Sequence, residues 1–480
     1  MFNYKDILHF RKSEKYFLEV LNKEEAEYIR VDKDLYQDVA NKIKVNNYLD
    51  LHDQVCQVSE LKKHKCIFNA NIVYKNLAIH LPILINKGEK FDVFFYDFSL
   101  SPKVSKLIKY RIINKVLSKL GIDIDFVKII YLNGDYIQGK DSNRSDLFLV
   151  TNRIYRNSNY YLNLRKEAKK ISFDIDETLD RMNYLITNPE DAVSNDNFDH
   201  DIKFLYKNNL KPFDDLPADS ILHLFSYPGK YELYNKGIRS IKEIGNYKLN
   251  KHQLLQYQAT LSDDKMACYK NELTDYFKRM QNHKIAFIDF EWETYAIPKF
   301  DNLKVFDVVC FQYSLHQLNL DGSIEHFEFI GYKDARLAFI KSLLKNIDQE
   351  SLIVAYNANG AEKLRLKELA NSFPEYKKDL MLIANKMYDI SEPFVNGMFY
   401  HLNMRGSYSL KAVFNSIFPL NNYENLQVNN AMNAVSLWRE LDKELTKDKA
   451  KEKAILEYCS LDSYAMLLIY KFFIKYLNLN

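Results

Sequence analysis

The chain has 480 residues, of which 47% are hydrophobic and 27% are charged, and its formal net charge is +3. With only 12 glycines and 10 prolines, this composition excludes a largely disordered protein and predicts two or three packed domains. The nearly balanced charge neither requires nor excludes a nucleic-acid partner, because a local basic groove can lie on a neutral protein.

The spacing of the cysteines and the lengths of the apolar runs predict the cellular compartment. The five cysteines lack the spacing of a zinc or iron–sulfur site, and such a scattered, odd set is typical of buried thiols in a reducing cytoplasm. Residues 1–17 are charged throughout and lack the apolar core of a signal peptide. No apolar run reaches the ~18 residues that span a bilayer. We expect a cytoplasmic protein without a membrane segment.

The first 150 residues are predicted to form a mixed α/β domain. Short β-rich segments between turns indicate strands, and longer segments with helical spacing indicate helices. The order after the first helix is β-β-β-α-β. The predicted elements are, in chain order, a helix at 13–29, strands at 65–74, 77–85 and 90–100, a helix at 105–122 and a strand at 125–133.

Residues 151–280 are predicted to be a mostly helical connector. Within them, residues 220–260 alternate short helical patterns with glycine-containing turns. A small helical unit that binds a nucleic-acid backbone would have this pattern, but a plain connector is the preferred interpretation.

The pattern changes near Lys284 to that of a second α/β domain, residues 281–480. Three strands, a helix, a strand and further helices follow one another, which is the order of an RNase H-like domain with a mixed sheet and flanking helices. The predicted strands are 284–290, 304–316, 324–330 and 351–357, and the predicted helices include 335–347, 362–373 and 453–477.

Two acidic residues, Asp289 and Glu291, lie in the strand "FIDFEWET". Alternate side chains of a strand share a face, so the two carboxylates would stand side by side and repel each other unless a cation lies between them. Composition alone gives about eight acid-x-acid pairs by chance, and a solvated strand end explains one pair equally well. The interpretation therefore depends on acids elsewhere in the chain.

Further polar residues follow at two places. Glu362 begins the helix after strand 351–357, and the last helix carries Tyr458 and Asp462 four residues apart, on one helical face. Four carboxylates brought together would hold two Mg²⁺ or Mn²⁺ ions ~3.5–4 Å apart, which clamp a scissile phosphate. Tyr458 would orient the attacking water. Taken alone, Tyr458 and Asp462 are better explained as a core tyrosine and a surface aspartate.

Several stretches of residues 284–480 together resemble the tyrosine-type branch of the DEDD superfamily of 3′→5′ exonucleases. The stretches are "FIDFEWET", "FQYSLH", "IVAYNANGAEKLRLKELA", "GSYSLKAV" and "LEYCSLDSYAM". The whole chain is similar to a bacterial family of unknown function that joins an N-terminal RecB-like nuclease domain to such an exonuclease domain. The resemblance implies a catalytic Tyr458 and four metal ligands: Asp289, Glu291, Glu362 and Asp462.

The sequence departs from the exonuclease pattern at the third acid. The superfamily commonly has aspartate where this chain has Glu362, and the segment "YNANGAE" differs in length. Asp389 is an alternative ligand, although a structural role at a helix end is preferred for it. The stretch "GSYSLK" offers Ser407, Ser409 and Lys411 as phosphate contacts, with a routine helix N-cap as an equal alternative.

The first domain departs further from its family. RecB-like nucleases carry an aspartate on one strand and Glu-x-Lys on the next. Here Pro82 stands in the first of these strands, and residues 91–100 contain neither glutamate nor lysine. We therefore expect residues 1–150 to be a degenerate nuclease fold that binds nucleic acid or a partner without cutting.

The sequence favours a cytoplasmic two-metal-ion exonuclease that acts on single-stranded DNA or RNA. Two other classes stay open. One is a catalytically silent nucleic-acid-binding or scaffolding protein, and the other is an enzyme for a different phosphate ester, such as a nucleotide phosphodiesterase. Cys459 is interpreted as a buried thiol, and His316 and His326 as core or surface histidines.

Overall fold

The chain forms two compact units in this computed structural model. The first comprises residues 1–215 and 296–306, and the second comprises residues 216–295 and 307–480. The assignment of separate roles to residues 1–150, 151–280 and 281–480 stays a prediction. The residues that the structure describes are 1–21, 35–140, 143–157, 160–170, 172–193, 198–245, 248–419, 427–428, 430–444 and 447–479.

The first unit carries eight helices and eight strands among its described residues. Its helices are α1 (Tyr4–Lys12), α2 (Glu14–Val20), α3 (Tyr36–Lys42), α4 (Val58–Leu61), α5 (Leu107–Lys119), α6 (Leu164–Lys170), α7 (Ile175–Thr187) and α8 (Phe198–Lys207). Its strands are β1 (Leu49–Asp50), β2 (Cys66–Tyr74), β3 (Leu77–Asn86), β4 (Phe91–Asp97), β5 (Ile124–Leu132), β6 (Phe148–Thr151), β7 (Arg153–Asn157) and β8 (Tyr160–Asn163).

Six of these strands form one sheet in the order β1-β2-β3-β4-β5-β6. Strands β2, β3 and β4 are an antiparallel meander, and α5 returns the chain so that β5 lies parallel to β4. The predicted β-β-β-α-β order is therefore present. The helix predicted at 13–29 contains α2, and its residues 22–29 lie outside the described residues.

Pro82 interrupts the pairing of β3 with the neighbouring strand β2. Pro82 has no N–H group for the ladder, and the pairing of β2 with β3 skips Pro82 and Asn69. Asn69 takes a left-handed φ of 53°, which asparagine tolerates better than most residues.

The second unit carries ten helices and seven strands among its described residues. Its helices are α9 (Lys230–Asn235), α10 (Lys251–Leu261), α11 (Lys270–Lys278), α12 (Arg336–Asn346), α13 (Glu362–Ser372), α14 (Lys377–Lys386), α15 (Glu392–Val395), α16 (Leu410–Ile417), α17 (Ala431–Lys443) and α18 (Lys449–Tyr476). Its strands are β9 (Met266–Cys268), β10 (Ile285–Thr294), β11 (Val308–Leu318), β12 (Ile324–Ile330), β13 (Leu352–Ala355), β14 (Met387–Asp389) and β15 (Phe399–His401).

Five of these strands form a mixed sheet in the order β12-β11-β10-β13-β14. The first three strands in the chain are antiparallel, and β13 and β14 then lie parallel to β10. Numbered by their appearance, the strands have the order 3-2-1-4-5, with helices on both faces. The predicted α/β class, with an RNase H-like mixed sheet and flanking helices, is confirmed.

Alternation along β10 divides the core between the two faces of this sheet. Ile288 and Phe290 belong to the core that α12, α13 and α14 cover. Phe287 belongs to the core that α18 covers, together with Phe311 and Val354. The period of two therefore places Asp289 and Glu291 on the face toward α18.

Residues 151–280 are mostly helical, as predicted, with two departures. Strands β7 and β8 form a hairpin, and β9 pairs with β15. Strands of three to five residues are too short to show a clear alternation of apolar and polar residues, so the sequence did not reveal them. Among the described helices, none is both long and apolar enough to cross a membrane.

Candidate active site

Three carboxylates meet between β10 and α18. Asp289 and Glu291 lie two residues apart on β10, and Asp462 lies on α18, which packs over that strand. One oxygen from each of the three carboxylates lies within 4.8 Å of the others. Glu291 and Asp462 are buried, and Asp289 is partly buried. The structure thus brings together three of the four acids that the sequence singled out.

Tyr458 lies one helical turn before Asp462, as its spacing predicts, and is buried. Burial raises the pKa of Tyr458 above its ordinary value, and the carboxylates of Asp462, Glu291 and Asp289 raise it further. The hydroxyl therefore stays protonated and donates a hydrogen bond to Asp462. A protonated phenol at this place can orient a water molecule but cannot replace a charged ligand.

Glu362 and Asp389, the two candidates for the fourth acid, differ in what surrounds them. Glu362 begins α13 and is buried, and its Oε2 atom has no hydrogen-bond partner. Asp389 ends β14, and its Oδ1 atom accepts hydrogen bonds from the Asn357 amide (2.9 Å) and from the amide (3.0 Å) and hydroxyl (2.6 Å) of Ser391. Glu362 has the free oxygen that a ligand needs, whereas Asp389 holds two backbone segments together.

The acids raise one another's pKa. Burial raises the pKa of both Asp289 and Glu291 well above the usual range, and the charges of Asp462 and Glu362 add to the shift. Burial likewise raises the pKa of Glu362 to about 8. Ionising all four groups together is unfavourable unless a cation accompanies them.

Lys411 is the cation whose charge reaches this cluster. Its ammonium lies 5.3 Å from the centre of the Tyr458 ring, and its charge lowers the pKa of Glu291. Ser409 serves as the N-cap of α16, where its hydroxyl accepts a hydrogen bond from the Ala412 amide at 3.3 Å. Ser407 donates to Ser409 at 3.3 Å. Of the three predicted phosphate contacts, Lys411 is the one placed beside the acids.

The role of Glu293 was missed from the sequence, and Cys459 was predicted only as a buried thiol. Glu293 continues the alternation of acids on β10, but Arg439 of α17 binds both of its carboxylate oxygens. The repeated acids were visible in the sequence, whereas a partner 146 residues away was not. Cys459 donates its S–H to Oδ2 of Asp289 at 3.3 Å, which makes this buried thiol part of the cluster's wall.

A buried polar network fixes α18 against the sheet one residue after Asp462. The hydroxyl of Ser463 forms hydrogen bonds with Ser314 (2.7 Å) and with Nδ1 of His316 (2.8 Å). Ser314 in turn contacts Nε2 of His326 at 2.9 Å, and the two imidazole rings stack with centroids 4.2 Å apart. Burial, with a contribution from His326, lowers the pKa of His316 to about 4.

In the first unit, the acids of β4 are paired with lysines. Asp97 is buried and binds Lys106, and Asp92 is buried and binds Lys87 at 2.9 Å and Lys128 at 3.1 Å. These carboxylates are neutralised by side chains, in contrast to the cluster on β10. That the first unit does not cut nucleic acid stays a prediction.

Comparison with known proteins adds a family match over part of the second unit. A DUF2779 domain, described as a domain of unknown function, is found at residues 286–409. This range contains Asp289, Glu291 and Glu362 and ends before Tyr458 and Asp462. No curated protein matches the sequence.

Among solved structures, the family B DNA polymerase from the hyperthermophilic archaeon Pyrobaculum calidifontis is similar to part of the chain. The identity is 18% and the TM-score is 0.24, over 38% of this chain and 24% of the polymerase chain.

The residues of the cluster suit a divalent cation. All of its donors are carboxylate oxygens, the ligands that Mg²⁺ and Mn²⁺ prefer over the nitrogen and sulfur ligands of zinc sites. The Oε2 atom of Glu362 is buried without a partner, and an unsatisfied buried oxygen is costly unless something binds it. Asp289, Glu291, Glu362 and Asp462 are therefore the residues that would hold such an ion.

Proposed function

We propose that this protein is a two-metal-ion nuclease, and specifically a 3′→5′ exonuclease that hydrolyses phosphodiester bonds of single-stranded DNA or RNA. The observation that carries the proposal is the meeting of Asp289, Glu291 and Asp462 within 4.8 Å, beside a tyrosine hydroxyl bound to one of them. The polarity rests on the resemblance of these motifs to tyrosine-type exonucleases.

Each residue has a role that its position supports. Two Mg²⁺ or Mn²⁺ ions, when bound, would supply the positive charge that stabilises the attacking and leaving oxygens of the phosphate. Asp289, Glu291, Glu362 and Asp462 hold those ions in place. The protonated hydroxyl of Tyr458 orients the attacking water. This orientation keeps a lone pair of the water oxygen in line with the phosphorus.

Lys411 has a second role in this proposal. Its ammonium lies beside Tyr458 and within electrostatic reach of Glu291, where a lysine can act as a point charge on a phosphate oxygen. We assign it to the phosphate next to the scissile bond. Ser409 caps α16 and presents Lys411, and Ser407 supports that cap.

The test uses single-stranded DNA and RNA labelled at the 5′ end. A 3′→5′ exonuclease shortens such strands to a ladder in Mn²⁺ or Mg²⁺ and leaves them intact in EDTA. Asp289→Asn and Asp462→Asn each remove a ligand charge without changing side-chain shape, and we expect each to abolish the ladder. Glu375→Gln, an exposed acid of the same unit, is the matched control and should cleave like the wild type.

Other outcomes would contradict the proposal in distinguishable ways. A wild-type protein that hydrolyses small phosphodiesters such as a nitrophenyl ester of a nucleotide, but never a strand, would be a nucleotide phosphodiesterase. A protein that binds strands but cleaves nothing in either metal would be a silent binding protein. Cleavage that persists in Asp462→Asn would show that the metal site takes no part in the reaction.

A further inference from the structure

A second group of basic and aromatic side chains lies where the helical segment 216–261 meets the loop 402–409 of the same unit. The two segments are in close contact, because a Cβ atom added to Gly406 would lie 2.2 Å from the carbonyl oxygen of His223. Gln256 of α10 secures that carbonyl with a 2.9 Å hydrogen bond. The backbone geometry therefore fixes the loop against the segment.

Two positive charges converge at this junction. Arg405, in the loop, is exposed, and Lys230 begins α9. Burial and the charges of Arg405 and Lys230 together lower the pKa of His223 to about 4. Lys230 donates a 3.1 Å hydrogen bond to the carbonyl of Leu224, next to His223, and Arg405 precedes Gly406, which meets the His223 carbonyl, so both cations lie beside His223.

Aromatic rings lie beside these charges. The rings of Phe225 and His252 stack with centroids 4.7 Å apart and an interplanar angle of 27°. Tyr408, on the loop, meets Phe225 edge-on at 5.0 Å. All three side chains are partly exposed. A positively charged surface with partly exposed aromatic rings is the chemistry that binds single-stranded nucleic acid.

The loop of this junction leads directly along the chain into α16, which carries Lys411 of the candidate active site. Arg405 and Lys411 are six residues apart, so at most about 22 Å separates their Cα atoms. Tyr400 before the loop, Leu402 and Met404 within it and Val413 after it belong to the same hydrophobic core as Tyr458. A strand whose end lies at Tyr458 would pass Lys411 and then Arg405 along this surface.

We propose that the junction of segment 216–261 with loop 402–409 binds the backbone of single-stranded nucleic acid a few nucleotides upstream of the strand end held at the acids. Arg405 and Lys230 contact phosphates, and the aromatic rings favour unpaired bases. The inference deepens the proposed function and rests on it for the direction of the strand. It favours the backbone-binding interpretation of residues 220–260 over that of a plain connector.

The test measures binding of the full-length protein to fluorescent oligonucleotides in EDTA, where no metal-dependent cleavage occurs. At ~3.4 Å per nucleotide, a strand of about twelve nucleotides is longer than the 22 Å path, whereas a strand of about three is not. Arg405→Asn removes the charge and keeps a residue that tolerates the left-handed φ of 49°. We expect it to weaken binding of the twelve-nucleotide strand about tenfold and to change the affinity for the short strand by less than twofold.

The salt dependence gives a second readout. Loss of one phosphate contact should reduce the slope of log affinity against log salt by about 0.7, and Arg405→Asn with Lys230→Gln by about 1.4. The control is Lys236→Gln, a lysine of the same segment that is paired with Glu232, and it should leave both affinity and slope unchanged. Melting temperatures of all variants check that each one folds.

The outcomes separate this inference from the proposed function. Equal affinity and equal slope for Arg405→Asn and the wild type would overturn the inference, even if the wild type cleaves strands. Binding that depends on Arg405 without any cleavage would support the inference and contradict the nuclease. Tighter binding of a duplex than of a single strand, or displacement of the oligonucleotide by polyglutamate at equal charge concentration, would also overturn it.

Discussion

Glu291 and Glu293 lie two residues apart on β10, yet the side chains beside them carry opposite charges. Glu293 is held by the guanidinium of Arg439, whereas Glu291 faces the carboxylates of Asp289 and Asp462. The charge of a buried carboxylate paired with arginine is compensated within the fold, whereas a carboxylate among carboxylates destabilises the fold until a cation binds. This contrast separates the structural acids from the candidate ligands.

Replacing Tyr458 with phenylalanine tests whether its hydroxyl takes part in the reaction. Positioned proton transfer contributes typically 10²–10⁴-fold, and orientation of water less, so we expect Tyr458→Phe to reduce the cleavage rate roughly ten- to a thousand-fold. Metal affinity should be unchanged because the carboxylates remain. An unaltered rate together with a lowered melting temperature would show that Tyr458 only packs in the core.

The fourth acid is tested by a matched pair of variants, Glu362→Gln and Asp389→Asn. Glu362→Gln removes a buried carboxyl whose Oε2 atom has no partner and whose raised pKa destabilises the fold near neutral pH, so the protein should melt a few degrees higher in EDTA, at ~2–4 °C per kcal/mol. It should also lose most of the stabilisation by Mn²⁺. Asp389→Asn weakens three hydrogen bonds, so it should melt lower in both conditions and keep the Mn²⁺ effect.

The reverse result would reassign the ligand. Suppose that Mn²⁺ no longer raises the melting temperature of Asp389→Asn but still raises that of Glu362→Gln. The fourth ligand would then be at the end of β14. Stabilisation by a bound metal follows the ratio of its concentration to its dissociation constant, so the comparison should be made over a Mn²⁺ titration.

At the scale of elements, α18 carries both Tyr458 and Asp462, so its rotation about its own axis decides whether the site forms. Its contacts with β11 include the hydrogen bonds that Ser463 forms with Ser314 and with His316. Apolar packing alone is non-directional and would tolerate small rotations. We infer that the polar network sets the orientation of α18.

The pH dependence of stability tests this network. The pKa of His316 is lowered to about 4 in the fold, so the folded protein keeps the imidazole neutral while the unfolded chain binds a proton below about pH 6.5. The contribution of His316 to the free energy of unfolding is fully present above pH 6.5. As the pH falls toward 4, that contribution is lost, by up to ~3 kcal/mol. His316→Gln should lose less stability than the wild type between these pH values.

The comparison of His316→Gln with the wild type is needed because the acids titrate in the opposite sense. Their pKa values are raised in the fold, so protonation of Asp289 and Glu291 stabilises the folded protein at low pH. Identical pH profiles for His316→Gln and the wild type would show that this histidine does not link stability to pH.

Much of this architecture could be predicted from the sequence, for identifiable reasons. The period of two along β10 predicted that Asp289 and Glu291 share a face, and the spacing of four on α18 predicted that Tyr458 and Asp462 do. Local periodicity carries no information on partners distant in the chain. The pairing of Glu293 with Arg439 and the junction between Arg405 and His223 therefore had to come from the structure.

At the scale of the whole molecule, the second unit begins well before the sheet. Leu255 and Ala259 of α10 and Leu273 of α11 are buried in the same core as Tyr458, and β9 pairs with β15. A fragment that starts near residue 275 would lack these contacts.

Two fragments test the boundary. We expect residues 216–480 to fold and to bind Mn²⁺, and residues 275–480 to be markedly less stable, because burying one large apolar side chain is worth ~1.5–3 kcal/mol and several are removed. Chemical denaturation with circular dichroism measures both. Equal stability of the two fragments would show that segment 216–274 does not belong to the folding unit.

The connection between β10 and β11 leaves the second unit, since residues 296–306 belong to the first. The polypeptide therefore passes from one unit to the other at 215, at 295 and again at 306. A single cut at residue 215 separates a fragment that holds the whole second unit, but residues 296–306 stay on that fragment, so no single cut releases the first unit intact. An ancestor that exchanged its first unit for another would also have had to change the sequence of the loop that follows the acid-bearing strand. The two units are therefore expected to have been inherited together.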